Sequence, residues 1–323
     1  MFRLLMLILL SHACSVKPHQ PPQNIFILAG QSNMAGRGGV TNDTRTDTQV
    51  WDGIIPPQCQ PNPSILRLSA KLKWVRAHEP LHADIDVNKI NGVGPGMPFS
   101  NAVLTKDPNF GVIGLVPCAI GGTNISEWKK GSFLYDQTVG RTQAALQGGG
   151  VVRALLWYQG ESDTLTREDA ELYKQRSDKF FVDLRYDLQV PMLPIIRVAL
   201  ASGQGPYIDI VRKAQLENDL LNVRTVDARG LPLEPDMLHL TTPAQVRLGE
   251  MMADAFLQSK PSTIKTAAVT SSTWDWDHNG LSRLIAVFRK TETGLRPQLE
   301  YAPFIFKFYL GCSNGLYSFS ESC

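Results

Sequence analysis

The chain has 323 residues, 43% of them hydrophobic and 19% charged, the balance of a soluble globular protein with room for one large domain and additions. With 32 basic and 30 acidic residues the formal net charge is +2. That excludes the one-signed surface that nucleic acid or an anionic membrane selects, and leaves neutral or small partners.

The opening stretch MFRLLMLILLSHACS sets Arg3 before an apolar run, Leu4 to Leu10, and then small residues. This is the layout of a secretory signal peptide, assigned to residues 1–16, and the run is too short to span a bilayer. The expected location is extracellular, the cell wall included, with no membrane association once the leader is removed. Cleavage beyond Cys14 leaves Cys59, Cys118, Cys312 and Cys323, an even number compatible with two disulfides. A Cys59–Cys118 bridge is one reading; the other makes Cys118, after the apolar GVIGLVP, a small buried hydrophobe.

Five short apolar runs then read as buried strands: NIFILA (24–29), FGVIGLV (110–116), VVRALLWY (151–158), MLPIIRVAL (192–200) and VRTVDA (223–228). Helical spacing marks 132–147, 167–188, 207–221 and 242–258. This alternation predicts right-handed crossovers and a three-layer α/β/α sandwich around a mainly parallel, five-stranded sheet. Residues 37–109 hold no clear βαβ unit and read as an insertion on the sheet, with a hairpin or short strands at 65–75 and a helix starting near Pro98. Residues 17–260 form the principal domain. Beyond them, 261–323 lose the rhythm and read as a C-terminal appendage of uncertain order.

In such sheets chemistry collects beyond the carboxyl ends of the strands. Ser32, Gly121, Gln159 and the loop around His239 all follow predicted strands. A serine hydroxyl attacks only when a base takes its proton and an acid orients that base. In PDMLHLTTPAQ, Asp236 precedes His239 by three residues, close enough on a turn to hold Nδ1 and leave Nε2 for the serine. Gly121 and Gly122 in VPCAIGGTNISEW permit close approach of a backbone N–H to an oxyanion, and the Gln159 amide in WYQGESD can donate to the same atom. Glu161 and Asp163 read as an acid–base pair or as helix-capping residues, with capping the better fit for Asp163. HEPLH (78–82) matches the zinc-protease pattern in letters, but Pro80 breaks the helix that pattern needs. A turn beside a short strand fits it better, and no metal or other cofactor is expected.

GQSNMAG, CAIGGT, WYQGESD and DMLHL, in this order, resemble the SGNH/GDSL hydrolase superfamily, and within it the sialate O-acetylesterase-like branch of carbohydrate esterases. The resemblance covers about residues 24–257. It implies a flavodoxin-like fold and a metal-free serine esterase removing O-acetyl groups from carbohydrates. By position, Ser32 is the nucleophile, His239 the base and Asp236 its orienting acid, with the Ser32 and Gly121 N–H groups and the Gln159 side chain as oxyanion donors. Gln159 stands where the superfamily usually has Asn, and Gln31 replaces the Asp of the usual GDS opening; Gln31 and Glu161 are secondary candidates. Two other readings are a noncatalytic carbohydrate-binding or cell-wall protein on the same fold, and a short-chain acyl esterase of the lipase type. Asn42 and Asn124 head N-glycosylation sequons.

Overall fold

The computed structural model describes residues 21–259 except 44, 47 and 218. The leader, the appendage, Cys14, Cys312, Cys323, His12, His19 and His278 lie outside the described residues. In chain order the elements are β1 (Asn24–Gly30), α1 (Ser32–Ala35), β2 (Val40–Asp43), β3 (Thr48–Trp51), β4 (Ile65–Leu68), β5 (Trp74–Arg76), α2 (Gly96–Lys106) and β6 (Ile113–Pro117). They continue with α3 (Phe133–Leu146), β7 (Val151–Tyr158), α4 (Arg167–Asp187), β8 (Ile195–Ala199), α5 (Ile208–Leu216), β9 (Val223–Asp227) and α6 (Thr242–Ser259).

The main sheet runs β5-β4-β6-β1-β7-β8-β9, parallel throughout except for β5 at one edge. Seven strands replace the five expected, because the hairpin at 65–76 extends the sheet. Ile65 to Arg67 pair in parallel with Ile113 to Leu115, so part of the supposed insertion belongs to the core. The segment expected to be helical at 207–221 stops at Leu216, where Glu217 turns extended.

β1 is buried at every position, as a central parallel strand covered on both faces must be. Phe26 packs edge-on against Phe99 of α2 and Phe256 of α6 at 4.9 and 5.0 Å. Trp157 of β7 meets Phe180 of α4 at 4.7 Å and Trp128 at 5.1 Å, in a second aromatic cluster that takes in Tyr135 of α3. Aromatic pairs of this kind add to the area they bury and fix the helices against the sheet. Trp128 and Trp157 are therefore core residues.

Cys59 and Cys118 are both free thiols, fully buried. The bridge reading is thus corrected in favour of the small-hydrophobe reading. Burial pushes the Cys118 thiol up to about 11, the inert form expected of a core cysteine.

Candidate active site

β1 ends in Gly30 at φ +132°, and a side chain there would place Cβ 2.0 Å from the Tyr158 carbonyl oxygen. Only glycine lets the chain leave the sheet so close to β7. The exit delivers Ser32 to the first position of the single turn α1, 5% exposed. Backbone bonds of this turn begin with the Met34 and Ala35 N–H groups, both to Gln31 O. The Ser32 N–H lies ahead of that ladder.

Ser32 Oγ lies 2.9 Å from His239 Nε2, and His239 Nδ1 lies 2.5 Å from Asp236 Oδ2. Asp236 Oδ1 also accepts the Leu238 and His239 N–H groups, both at 2.9 Å. The carboxylate therefore shapes the turn that carries the imidazole as well as holding its ring. Burial would raise the Asp236 carboxyl, but the two N–H groups and the His239 ring bring it below its usual value. His239 is lowered, chiefly because burial disfavours the imidazolium; Asp236 opposes this and the Arg37 charge adds to it. A neutral imidazole beside a serine hydroxyl is the form able to take a proton.

Asn33, which no local pattern singled out, locks the two loops together. Its Oδ1 accepts the Leu240 N–H at 2.9 Å, and its Nδ2 donates to Glu161 Oε1 at 2.8 Å and to Leu238 O at 3.3 Å. The residue after the serine thus grips both sides of His239. Glu161 is fully buried behind it, as the anchor of this clamp.

Gln159 does not fill the oxyanion role expected of it. It is fully buried, and its Nε2 donates to Asp163 Oδ2 at 2.6 Å and Thr123 O at 3.0 Å, with Gln31 Oε1 at 3.4 Å. Its two amide hydrogens are engaged inside the protein. Gln31 in turn accepts the Gly160 and Ser162 N–H groups at 3.3 and 3.4 Å, a bracket between loops. Asp163 does not cap α4, whose N-terminus is capped by Thr166; it receives the Ile125 N–H and so anchors the Gly121 loop.

Gly121 itself lies beside the serine. A Cβ at this position would meet Arg37 Nη2 at 2.6 Å, Asp86 Oδ2 at 3.2 Å and Ser32 Cβ at 3.5 Å. The Gly121 N–H donates to Asp86 Oδ2 at 3.2 Å. A groove of about 570 Å³ opens next to it, lined among others by Asp86, Ile120, Thr123, Val87 and Phe133. Phe133 and Val87 are 74% and 68% exposed.

HEPLH forms turns after β5 rather than a helix. Glu79 accepts the Leu81 and Gly94 N–H groups at 3.0 and 3.4 Å, and the His82 ring is fully buried. Burial pushes His82 down to about 3. It also raises the carboxyls of Glu79 to about 8 and of Glu161 and Asp163 to about 7. For these acids the folded state favours the neutral form, so their contribution is complete below the unfolded value and falls as pH rises through the folded one. The melting temperature is expected to decline from weakly acid pH toward about pH 8, and Glu79→Gln to flatten the decline at its alkaline end. Thermal melts across that range, parent against variant, check this.

A mainly parallel sheet between helical layers, with its loops gathered at the carboxyl ends of β1, β6 and β7, is the fold of the SGNH-type hydrolases. The family model for "Carbohydrate esterase, sialic acid-specific acetylesterase" matches residues 22–258. A probable carbohydrate esterase of Arabidopsis thaliana is 59% identical over 240 residues, covering 74% of this chain and 92% of that protein. A crystal structure of the Arabidopsis protein, at 58% identity, covers 74% of this chain and 99% of its own with a TM-score of 0.72. The structure of NanS, 19% identical, covers 74% and 98% with a TM-score of 0.57. A carbohydrate acetylesterase from Xanthomonas citri, 17% identical, covers 72% and 55% with a TM-score of 0.51. These last two share the fold. The chain belongs to the sialic acid-specific acetylesterase family of carbohydrate esterases, and is an esterase.

Proposed function

We propose that the protein removes O-acetyl groups from carbohydrates through an acetyl-enzyme on Ser32. The observation that carries this is the hydrogen-bond chain Ser32–His239–Asp236, 2.9 and 2.5 Å, at the strand ends. His239 Nε2 takes the Ser32 proton as Oγ bonds to the acetyl carbon and the carbonyl electron pair moves onto oxygen. When the carbonyl re-forms, the sugar oxygen departs with the proton from His239. A water molecule then gives a proton to His239 and attacks the acetyl carbon. Ser32 leaves, reprotonated, and acetate is released.

The groove between Val87 and Phe133 supports a carbohydrate on the leaving-group side, since exposed apolar side chains offer faces for sugar rings. Of its polar lining residues, the exposed Glu127 can reach hydroxyls. The leader-like residues 1–16 support the further proposal that the enzyme acts after export.

The test is acetate release from a panel of acetylated polysaccharides, together with p-nitrophenyl esters of increasing chain length. Acetyl esters are expected to be the fastest. Phe133→Ala is expected to raise KM for the polysaccharide that is turned over while leaving p-nitrophenyl acetate unaffected. Activity rising with acyl length would favour a lipase-type esterase and overturn the reading.

A further inference from the structure

The groove beside Gly121 holds a polar atom for which the fold supplies no partner. We propose that Gln137 selects the sugar that enters this groove: its side-chain oxygen accepts a free hydroxyl of the ring lying on Phe133, so that partly acetylated carbohydrate is preferred to the fully acetylated form. The inference rests on the acetyl-enzyme reading above and names a substrate property which that reading leaves open.

Gln137 follows Phe133 by one turn of α3, and helix positions four apart share a face with Cβ atoms about 5–6 Å from each other. Both side chains line the groove. Phe133 is largely exposed, whereas Gln137 is half-buried. Gln137 Oε1 is shielded from water and has no hydrogen-bond partner among the described residues. An acceptor left in that state costs more than an ordinary hydrogen bond returns, and native proteins hold few of them. A ligand that brings a donor removes the cost.

No other polar lining group stands to gain as much. Thr123 Oγ1 donates to Ile120 O at 3.0 Å and accepts the Trp128 Nε1–H at 3.1 Å. Ser132 Oγ donates to Glu127 O at 2.5 Å, and Asp86 is paired with Arg37. Glu127 and Asn88 are exposed, so water already serves them. A sugar contact to either of these two exchanges one hydrogen bond for another. The contact to Gln137 supplies one that is missing.

A pyranose stacked on an aromatic face holds its equatorial hydroxyls in the plane of the stack, directed past the edge of the aromatic ring. Gln137 stands one turn along from that ring. Acetylation takes away the hydroxyl proton and leaves oxygens that can only accept, which cannot pair with the oxygen of Gln137. A site built to bond a hydroxyl rejects the analogue lacking it, because its own polar group stays unpaired.

The experiment uses short oligosaccharides cut from the polysaccharide that the parent deacetylates, as released and after chemical acetylation of their free hydroxyls. Initial rates of acetate release and melting curves are compared for the parent, Gln137→Leu, Gln137→Glu and Ser32→Ala. The parent is expected to show a kcat/KM roughly tenfold to a hundredfold higher on the released oligosaccharides than on the acetylated ones. Gln137→Leu is expected to bring that ratio close to one by losing activity on the released form. Its melting temperature should equal or exceed the parent's, since leucine replaces an unpaired polar group with an apolar one. Gln137→Glu keeps an acceptor and should keep the preference; it also serves where Gln137→Leu does not fold. Damage to packing alone would lower both rates together and leave the ratio at the parent's value.

A parent without the preference, or a Gln137→Leu variant that retains it, would overturn the inference while the acetyl-enzyme reading stands. If the parent hydrolyses p-nitrophenyl acetate but no polysaccharide, the inference fails together with the choice of a carbohydrate substrate. If Ser32→Ala turns over like the parent, the acetyl-enzyme reading itself has failed.

Discussion

Ser32→Ala is expected to lower kcat for acetate release by about a million-fold, to a rate near that left by substrate positioning alone. The size follows from what the hydroxyl does. Without Oγ no atom can carry the acetyl group, and His239 has no proton to take except from water lying farther from the carbonyl. The fold should be indifferent to the change. Ser32 Oγ makes one hydrogen bond, to His239, and the turn around it is set by Gly30, Gln31 and Asn33. Melting temperature should thus stay close to the parent's while turnover disappears. Rapid mixing with p-nitrophenyl acetate gives the second readout: a burst of p-nitrophenol in the parent if deacetylation is slow, and none in the variant. Retained turnover would remove the serine from the mechanism.

The sequence made the centre of the sheet legible for a physical reason. β1, β6 and β8 are buried at every position and β7 over its second half, so these read as largely apolar runs, while the edge strand β9, with Arg224 and Asp227 exposed, shows as a short alternating one. The hairpin of β4 and β5 was legible at 65–75, but its place in the main sheet was not, because three- and four-residue strands containing Arg67 and Arg76 carry little pattern. Their place is set by the pairing of Ile65 with Ile113, a long-range choice. The Cys59–Cys118 reading failed for a related reason: an even cysteine count says nothing about which side chains face each other.

The site divides in the same way. Ser32, Asp236 and His239 could be read because Asp-x-x-His is a local turn and each segment follows a strand. Position at a strand end, however, does not say where an amide points. Asp163, four residues on, captures the Gln159 amide, and only the fold shows which competitor wins. Asn33 offered no signal of its own, since Glu161, Leu238 and Leu240, which it grips, lie 128 to 207 residues away along the chain, and Arg37 and Asp86 pair across 49 residues. What the sequence withholds is the tertiary pairing that turns a polar residue into a donor, a clamp or an anchor.

Asp236→Asn carries the second large effect, a fall in kcat on the order of ten-thousand-fold with the fold intact. In the parent, Asp236 Oδ1 accepts the Leu238 and His239 N–H groups while Oδ2 faces His239 Nδ1. An asparagine must keep its oxygen toward those two N–H groups to preserve the turn. Its NH2 then faces Nδ1 and donates to it. The ring proton is driven to Nε2, which points at Ser32 Oγ as a donor and can no longer take the serine proton. The pH profile separates this from simple misfolding. Asp236 raises His239 against the burial that lowers it, so removing the carboxylate lowers the imidazole further. The acid limb of kcat/KM should therefore lie at lower pH in Asp236→Asn than in the parent. An unchanged rate would deny Asp236 its orienting role. A reduced rate with the limb moved upward would mean that the carboxylate acts on His239 through the turn's shape and not through its charge.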